Sequence, residues 1–231
     1  MRHFALSLIG SAAALAFALP AQADSVSFPG FSHGSETVTF TVSAPNVNKT
    51  EAVNAGGFST ILNGGPSFTT YCVDLYQTIN FGAAPYTEYT GPDTSHLFTN
   101  NRAYTDLGRL YATAGAVTTA VQEAAFQIAV WEIAYEDSAT PYNLSSGSAS
   151  FSGGTAASSG ALGLASNWLT HLASSGPAIT VLQSSLHQDV IYAPVPEAST
   201  LAMMVAGLLG LGALTRRRGL NRGFPRLNPA A

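Results

Sequence analysis

Two uncharged apolar runs, one at each end of the chain, confine whatever folds to the stretch between them. Residues 4–19 form the first, rich in Ala and Leu and preceded by Arg2 and His3. Pro20 and the small-residue site Ala21-Gln22-Ala23 follow. This is the pattern of a cleaved export leader, with the cut expected after Ala23. Residues 201–214, LAMMVAGLLGLGAL, form the second, and Arg216, Arg217 and Arg218 close it. An apolar helix stopped by basic residues is expected to sit in a membrane with its positive end in the cytoplasm. The expected organisation is a leader over 1–23, one extracytoplasmic domain over 24–193, a tail with a transmembrane helix over 194–218 and a basic extension over 219–231.

The body is long enough for one domain with a real core. It carries three basic residues, Lys49, Arg102 and Arg109, against twelve acids. Binding to nucleic acid needs clustered Lys and Arg to neutralise phosphates, so a nucleic-acid partner is not expected. Cys72 is the single cysteine, so no internal disulfide can form. The five histidines, at 3, 33, 96, 171 and 187, have no metal-ligand spacing, and neither a metal nor another cofactor is expected. No Gly-rich phosphate loop, HExxH or GxSxG motif is present, and no acid/base or Ser/His set can be assembled. The chain is not read as an enzyme.

Periodicity divides the body into strands, helices and strands again. Residues 26–40 read as strand, with Val38, Phe40 and Val42 alternating against Thr. Residues 58–62, 68–79 and 86–89 read as further strands. In 68–79, Tyr71, Val73 and Leu75 are assigned one face, and Thr70, Cys72, Asp74 and Tyr76 the other. Helices are expected over 101–114, 118–136 and 160–173, the second capped by Thr118 or Thr119. Glu123, Glu132, Glu136 and Asp137 are expected on its solvated face, and His171 on the surface of the third. The Ser/Gly-rich stretch 145–159 reads as loop, and 179–182 and 187–192 as final strands. The expected fold class is α+β, with sandwich- or barrel-like strands and an inserted helical segment.

Two resemblances follow from these residues. Val195-Pro196-Glu197 with Ala198-Ser199-Thr200, the apolar run and the arginine cluster resemble the PEP-CTERM sorting signal. Ala198 stands where that signal usually has its second Pro, and 219–231 continues past its usual end. The resemblance implies a Gram-negative exported protein, processed by an exosortase-type enzyme and associated with the cell surface, exopolysaccharide or biofilm matrix. Within the body, Tyr71-Cys72-Val73, then Phe126-Gln127-Ile128-Ala129-Val130-Trp131, then His187-Gln188-Asp189-Val190 resemble, in order, the motifs of bacterial thioester domains on surface adhesins. His187 and Val190 replace that family's Thr and Ala. The resemblance implies a Cys–Gln thioester that grips an amine- or hydroxyl-bearing surface. Gln188 is the acyl donor by motif order and Gln127 the supporting or alternative partner, with Tyr71, Tyr76 and Trp131 as shielding. The residues alone equally fit a small buried cysteine and a core glutamine. The alternative function is a non-covalent structural or carbohydrate-binding matrix module.

Overall fold

The computed structural model describes residues 24–43, 48–79, 81–90, 98, 100–194 and 206–209. Six antiparallel strands close into a barrel: β1 (Asp24–Phe31), β4 (Phe58–Leu62), β5 (Ser67–Cys72), β9 (Val190–Tyr192), β8 (Thr180–Gln183) and β6 (Ala83–Thr90), the last returning to β1. A separate three-stranded sheet has the order β3 (Lys49–Ala55), β2 (Glu36–Val42), β7 (Ala149–Ser152). Four helices complete the body: α1 (Ala103–Ala114), α2 (Ala120–Tyr135), α3 (Gly154–Ser158) and α4 (Ala161–Thr170). The α+β class and the barrel-like strands are therefore as the sequence implied.

Helix α2 organises the molecule. Thirteen of its sixteen residues are buried, and it packs against α1, α3, α4 and strands of both sheets. A helix apolar on nearly every side belongs inside a core, and the alanines at 124, 125, 129 and 134 let its neighbours approach closely. Thr119 caps its N-terminus by accepting from the Gln122 N–H at 3.2 Å, and Gln122 Oε1 accepts from the Thr118 N–H at 3.0 Å.

Several expected elements differ. The 26–40 strand is two strands in different sheets, parted at Ser32–Ser35, where Gly34 adopts a positive φ of 101°. The alternation of Val38, Phe40 and Val42 is real, and all three are buried. Strand β3 was not expected: KTEAVNA is polar at most positions and lies on a sheet edge, so burial imposes little pattern on it. The 145–159 loop contains β7 and α3, whose small residues pack on β2. The 68–79 strand stops at Cys72, and 73–79 folds back as a loop. Its two-faced alternation therefore ends there, and Asp74 is a loop residue. In the 187–192 segment only Val190–Tyr192 is strand, so His187, Gln188 and Asp189 lie in the loop before it.

The acidic residues of α2 overturn the solvated-face expectation. Glu123, Glu132 and Glu136 are buried, and only Asp137 is exposed. Each buried carboxylate finds donors: His33 Nδ1 and the Tyr71 hydroxyl at Glu123, the Asn143 N–H at Glu132, and the Asp137 and Ser148 N–H groups at Glu136. His171 is exposed, as expected.

The leader 1–23, the motif Val195-Pro196-Glu197 and Arg216, Arg217 and Arg218 lie outside the described residues. Of the expected C-terminal apolar helix, only 206–209 is described, and it is helical. No helix among the described residues is long and apolar enough to cross a membrane.

Candidate functional site around Cys72

Cys72 is the last residue of β5, and its register with β9 brings the late glutamine to it. Tyr71 pairs with Ile191 and Cys72 with Val190, and the Val73 N–H donates to Asp189 O at 2.9 Å. The loop 73–79 then turns tightly, because Asp74 Oδ1 accepts from the N–H groups of Tyr76 and Gln77. That turn aims the Asp74 carbonyl back at the strand end. The Cys72 thiol donates to it at 3.1 Å, and Gln188 Nε2 donates to the same oxygen at 3.0 Å. The sulfur and the carboxamide are thus both anchored to one atom. The Gln188 backbone is fixed on both sides: its N–H donates to Thr78 O, and its C=O accepts from the Tyr86 hydroxyl.

Gln127 plays a different part. Strand β4 pairs with β5 only as far as Phe58↔Thr70, so among the described residues no strand lies beside Cys72 on that side. The Gln127 carboxamide takes the vacant place. Its Oε1 accepts from the Cys72 N–H at 2.9 Å, and its Nε2 donates to Cys72 O at 2.7 Å. A side chain thereby completes the ladder that a backbone would otherwise supply. One turn along α2, Trp131 lines the cavity at Cys72. A further turn on, the Tyr135 hydroxyl accepts from the Leu75 N–H at 2.8 Å. Residues 127, 131 and 135 form one i, i+4, i+8 stripe holding segment 72–75.

Beside the thiol is a cavity of about 240 Å³, lined by Cys72, Gln188, Trp131, Lys49, Gln77 and Phe81 among others. Cys72 itself is 1% exposed. Burial pushes its pKa up to about 12. The Trp131 indole N–H and the Asp74 backbone work against that rise, while the Asp74 and Asp189 carboxylates add to it. The indole N–H has no hydrogen-bond partner among the described residues, so negative charge on sulfur would meet an unused donor. At neutral pH the sulfur is a neutral thiol, as its donation to the Asp74 carbonyl requires. Asp189 is raised to about 6, chiefly by burial and opposed by the Ser184 N–H.

Of the residues singled out in the sequence, Cys72, Gln188 and Trp131 share this cavity, and Gln127 holds the cysteine backbone. Tyr71 is not part of it. Being the neighbour of Cys72 on a strand, it points to the opposite face, where its hydroxyl donates to Glu123 Oε2 at 2.6 Å. There it lines an apolar groove of about 840 Å³ with Phe68, Tyr111, Phe126 and Tyr192. Tyr76 packs on Tyr135 rather than lining the thiol cavity. Lys49, Phe81 and Tyr135 were not singled out. The 127/131/135 spacing was a legible signal for the last, whereas no local pattern links 49 to 72. No group of three or more His, Cys, Asp or Glu among the described residues is arranged to hold a metal. Comparison with protein-family models, with curated proteins and with solved structures returns no match.

Proposed function

We propose that this chain is an exported envelope or matrix-associated surface protein that attaches covalently to its target through a thioester between Cys72 and Gln188. The observation that carries this reading is the shared acceptor: thiol and carboxamide both donate to the Asp74 carbonyl. In thioester formation the Cys72 sulfur attacks Gln188 Cδ, the Cδ–Nε2 bond breaks, and the thiol proton leaves with the amide as ammonia. Fixing both groups in one cavity turns this into an intramolecular reaction, the condition under which effective molarities become large. A target amine or hydroxyl then attacks the acyl carbon, and Cys72 recovers its proton. Burial of Cys72, which is 1% exposed, keeps bulk water from the acyl carbon until a target arrives.

Gln127 is the less suited acyl donor. Both polar atoms of its carboxamide are engaged by the Cys72 backbone, and loss of its nitrogen would orphan a buried carbonyl. We further propose that the 194–218 tail directs processing by an exosortase-type enzyme, on the strength of its Val195-Pro196-Glu197 motif and Arg216–Arg218 cluster. The full chain exported with its tail should incorporate one methylamine and expose one titratable thiol. Failure of wild type to incorporate methylamine, with the thiol free and no ammonia deficit in freshly exported protein, would remove the covalent reading.

The alternative, a non-covalent carbohydrate-binding module, is favoured by one feature. The aromatic groove beside Tyr71 offers Phe68, Tyr111 and Tyr192 for stacking on sugar rings. It predicts polysaccharide retention unaffected by Cys72→Ala and lost on Tyr192→Ala.

A further inference from the structure

The chain contains a single lysine, Lys49, and it lines the same cavity as the single cysteine and Gln188. Lys49 opens β3, on the edge of the smaller sheet, while Gln188 lies in the loop that leads into barrel strand β9. The Lys49 side chain crosses the Phe40 ring, with Nζ at 5.5 Å from its centroid, and donates to Leu75 O at 2.8 Å. That oxygen is the backbone carbonyl next after Asp74 O, on which Gln188 Nε2 and the Cys72 thiol converge. Glu51 Oε2 lies 2.8 Å from the same ammonium.

Resting on the thioester reading above, we infer that Lys49 is a built-in competing acceptor, which converts an unspent Cys72–Gln188 thioester into an internal Lys49–Gln188 amide. The four-carbon lysine stem is flexible, and the Lys49 head and the Gln188 carboxamide are held on successive backbone carbonyls in the lining of one cavity. Glu51 takes one proton from the ammonium. The freed amine attacks Gln188 Cδ, the carbon–sulfur bond breaks, and the departing sulfur of Cys72 receives a proton. The net change from the original side chains is loss of one ammonia, with Cys72 again a thiol. No oxidant or cofactor is needed. The product ties the edge strand β3 to the barrel, and the grip expires if no target arrives. Elsewhere the chain has no other side-chain amine, so this is its only internal lysine acceptor.

The test follows full-chain wild type and Lys49→Arg over time after export, measuring intact mass, methylamine uptake and titratable thiol. In wild type the ammonia deficit should persist while methylamine uptake disappears, a thiol emerges and a branched peptide joining residues 49 and 188 accumulates. In Lys49→Arg, methylamine uptake should survive about tenfold longer or more, as removal of an intramolecular nucleophile requires. Glu51→Gln should slow the wild-type conversion without changing the initial deficit. Two results overturn the inference: uptake lost at the same rate in both proteins with regain of one water, or wild type remaining fully reactive. An ammonia deficit absent from both proteins at every time would instead defeat the underlying thioester reading.

Discussion

Gln127 and Gln188 are both within reach of Cys72, yet their geometries predict opposite consequences of removal. Gln127→Ala strips partners from two backbone groups of a residue that is 1% exposed. A buried polar group left unsatisfied costs about 1–3 kcal/mol. Two such groups and the space vacated by a fully buried side chain together give a loss of roughly 3–5 kcal/mol. For a body of this size each kcal/mol lowers Tm by about 2–4 °C, so the midpoint should fall by roughly 10 °C. Measured against the unreacted, free-thiol protein, Gln188→Ala loses one side-chain hydrogen bond from a partly exposed loop residue and should cost about 1 kcal/mol or less. Urea titration followed by the fluorescence of Trp131 and Trp168 measures both losses. The conservative variant Gln127→Glu adds a sign test. One carboxylate oxygen still accepts from the Cys72 N–H, but the other confronts the Cys72 carbonyl and must carry a proton. Its folded pKa is therefore raised, so its stability should hold at acid pH and fall as pH climbs past the ordinary carboxylate range. A Gln127→Ala cost below about 1 kcal/mol, or equal costs for the two alanine variants, would refute this division of roles.

Two further predictions concern buried acids. Burial, aided by the nearby Glu136 carboxylate and opposed by the Asn143 N–H, raises Glu132 to about 8. Its contribution is present below the unfolded carboxylate pKa and is lost as pH rises toward 8. Glu132→Gln should accordingly remove a stability decline of a few kcal/mol between about pH 5 and 8, read as Tm against pH. In Gln188→Ala, where Cys72 stays a thiol, a pKa of about 12 should make iodoacetamide alkylation at pH 8 slower than for an exposed cysteine by about a hundredfold or more. The rate should climb with pH through 10. Rapid, pH-independent labelling would mean that the thiol is not buried as described.

What was legible in the sequence was whatever burial imposes locally. Val38, Phe40 and Val42 declare β2 because alternate positions must face a core, and the α2 segment shows a long alanine-rich apolar run with a hydroxyl cap at Thr119. Polar edge strand β3 escapes such reading, since one side of it meets no partner strand. The buried glutamates of α2 mislead for a related reason. Glu123 is satisfied by His33 and Tyr71, and those donors are far away in sequence. For the site, motif order pointed to Cys72, Gln127, Trp131 and Gln188. Their division of labour was not legible, because it depends on where β4 stops pairing and on the turn that Asp74 makes. Lys49 enters the cavity from a different sheet, and only the packing of β3 puts it there.

The bond itself can be weighed. Freshly exported wild type, Cys72→Ala and Gln188→Ala are acid-quenched and analysed by intact mass, then digested to find peptides carrying positions 72 and 188. The account predicts that wild type is lighter by one ammonia than the mass calculated for its processed chain, with those two positions joined, and that both variants have their full calculated mass. Wild type at full mass, with Cys72 and Gln188 each recovered unmodified, would contradict it.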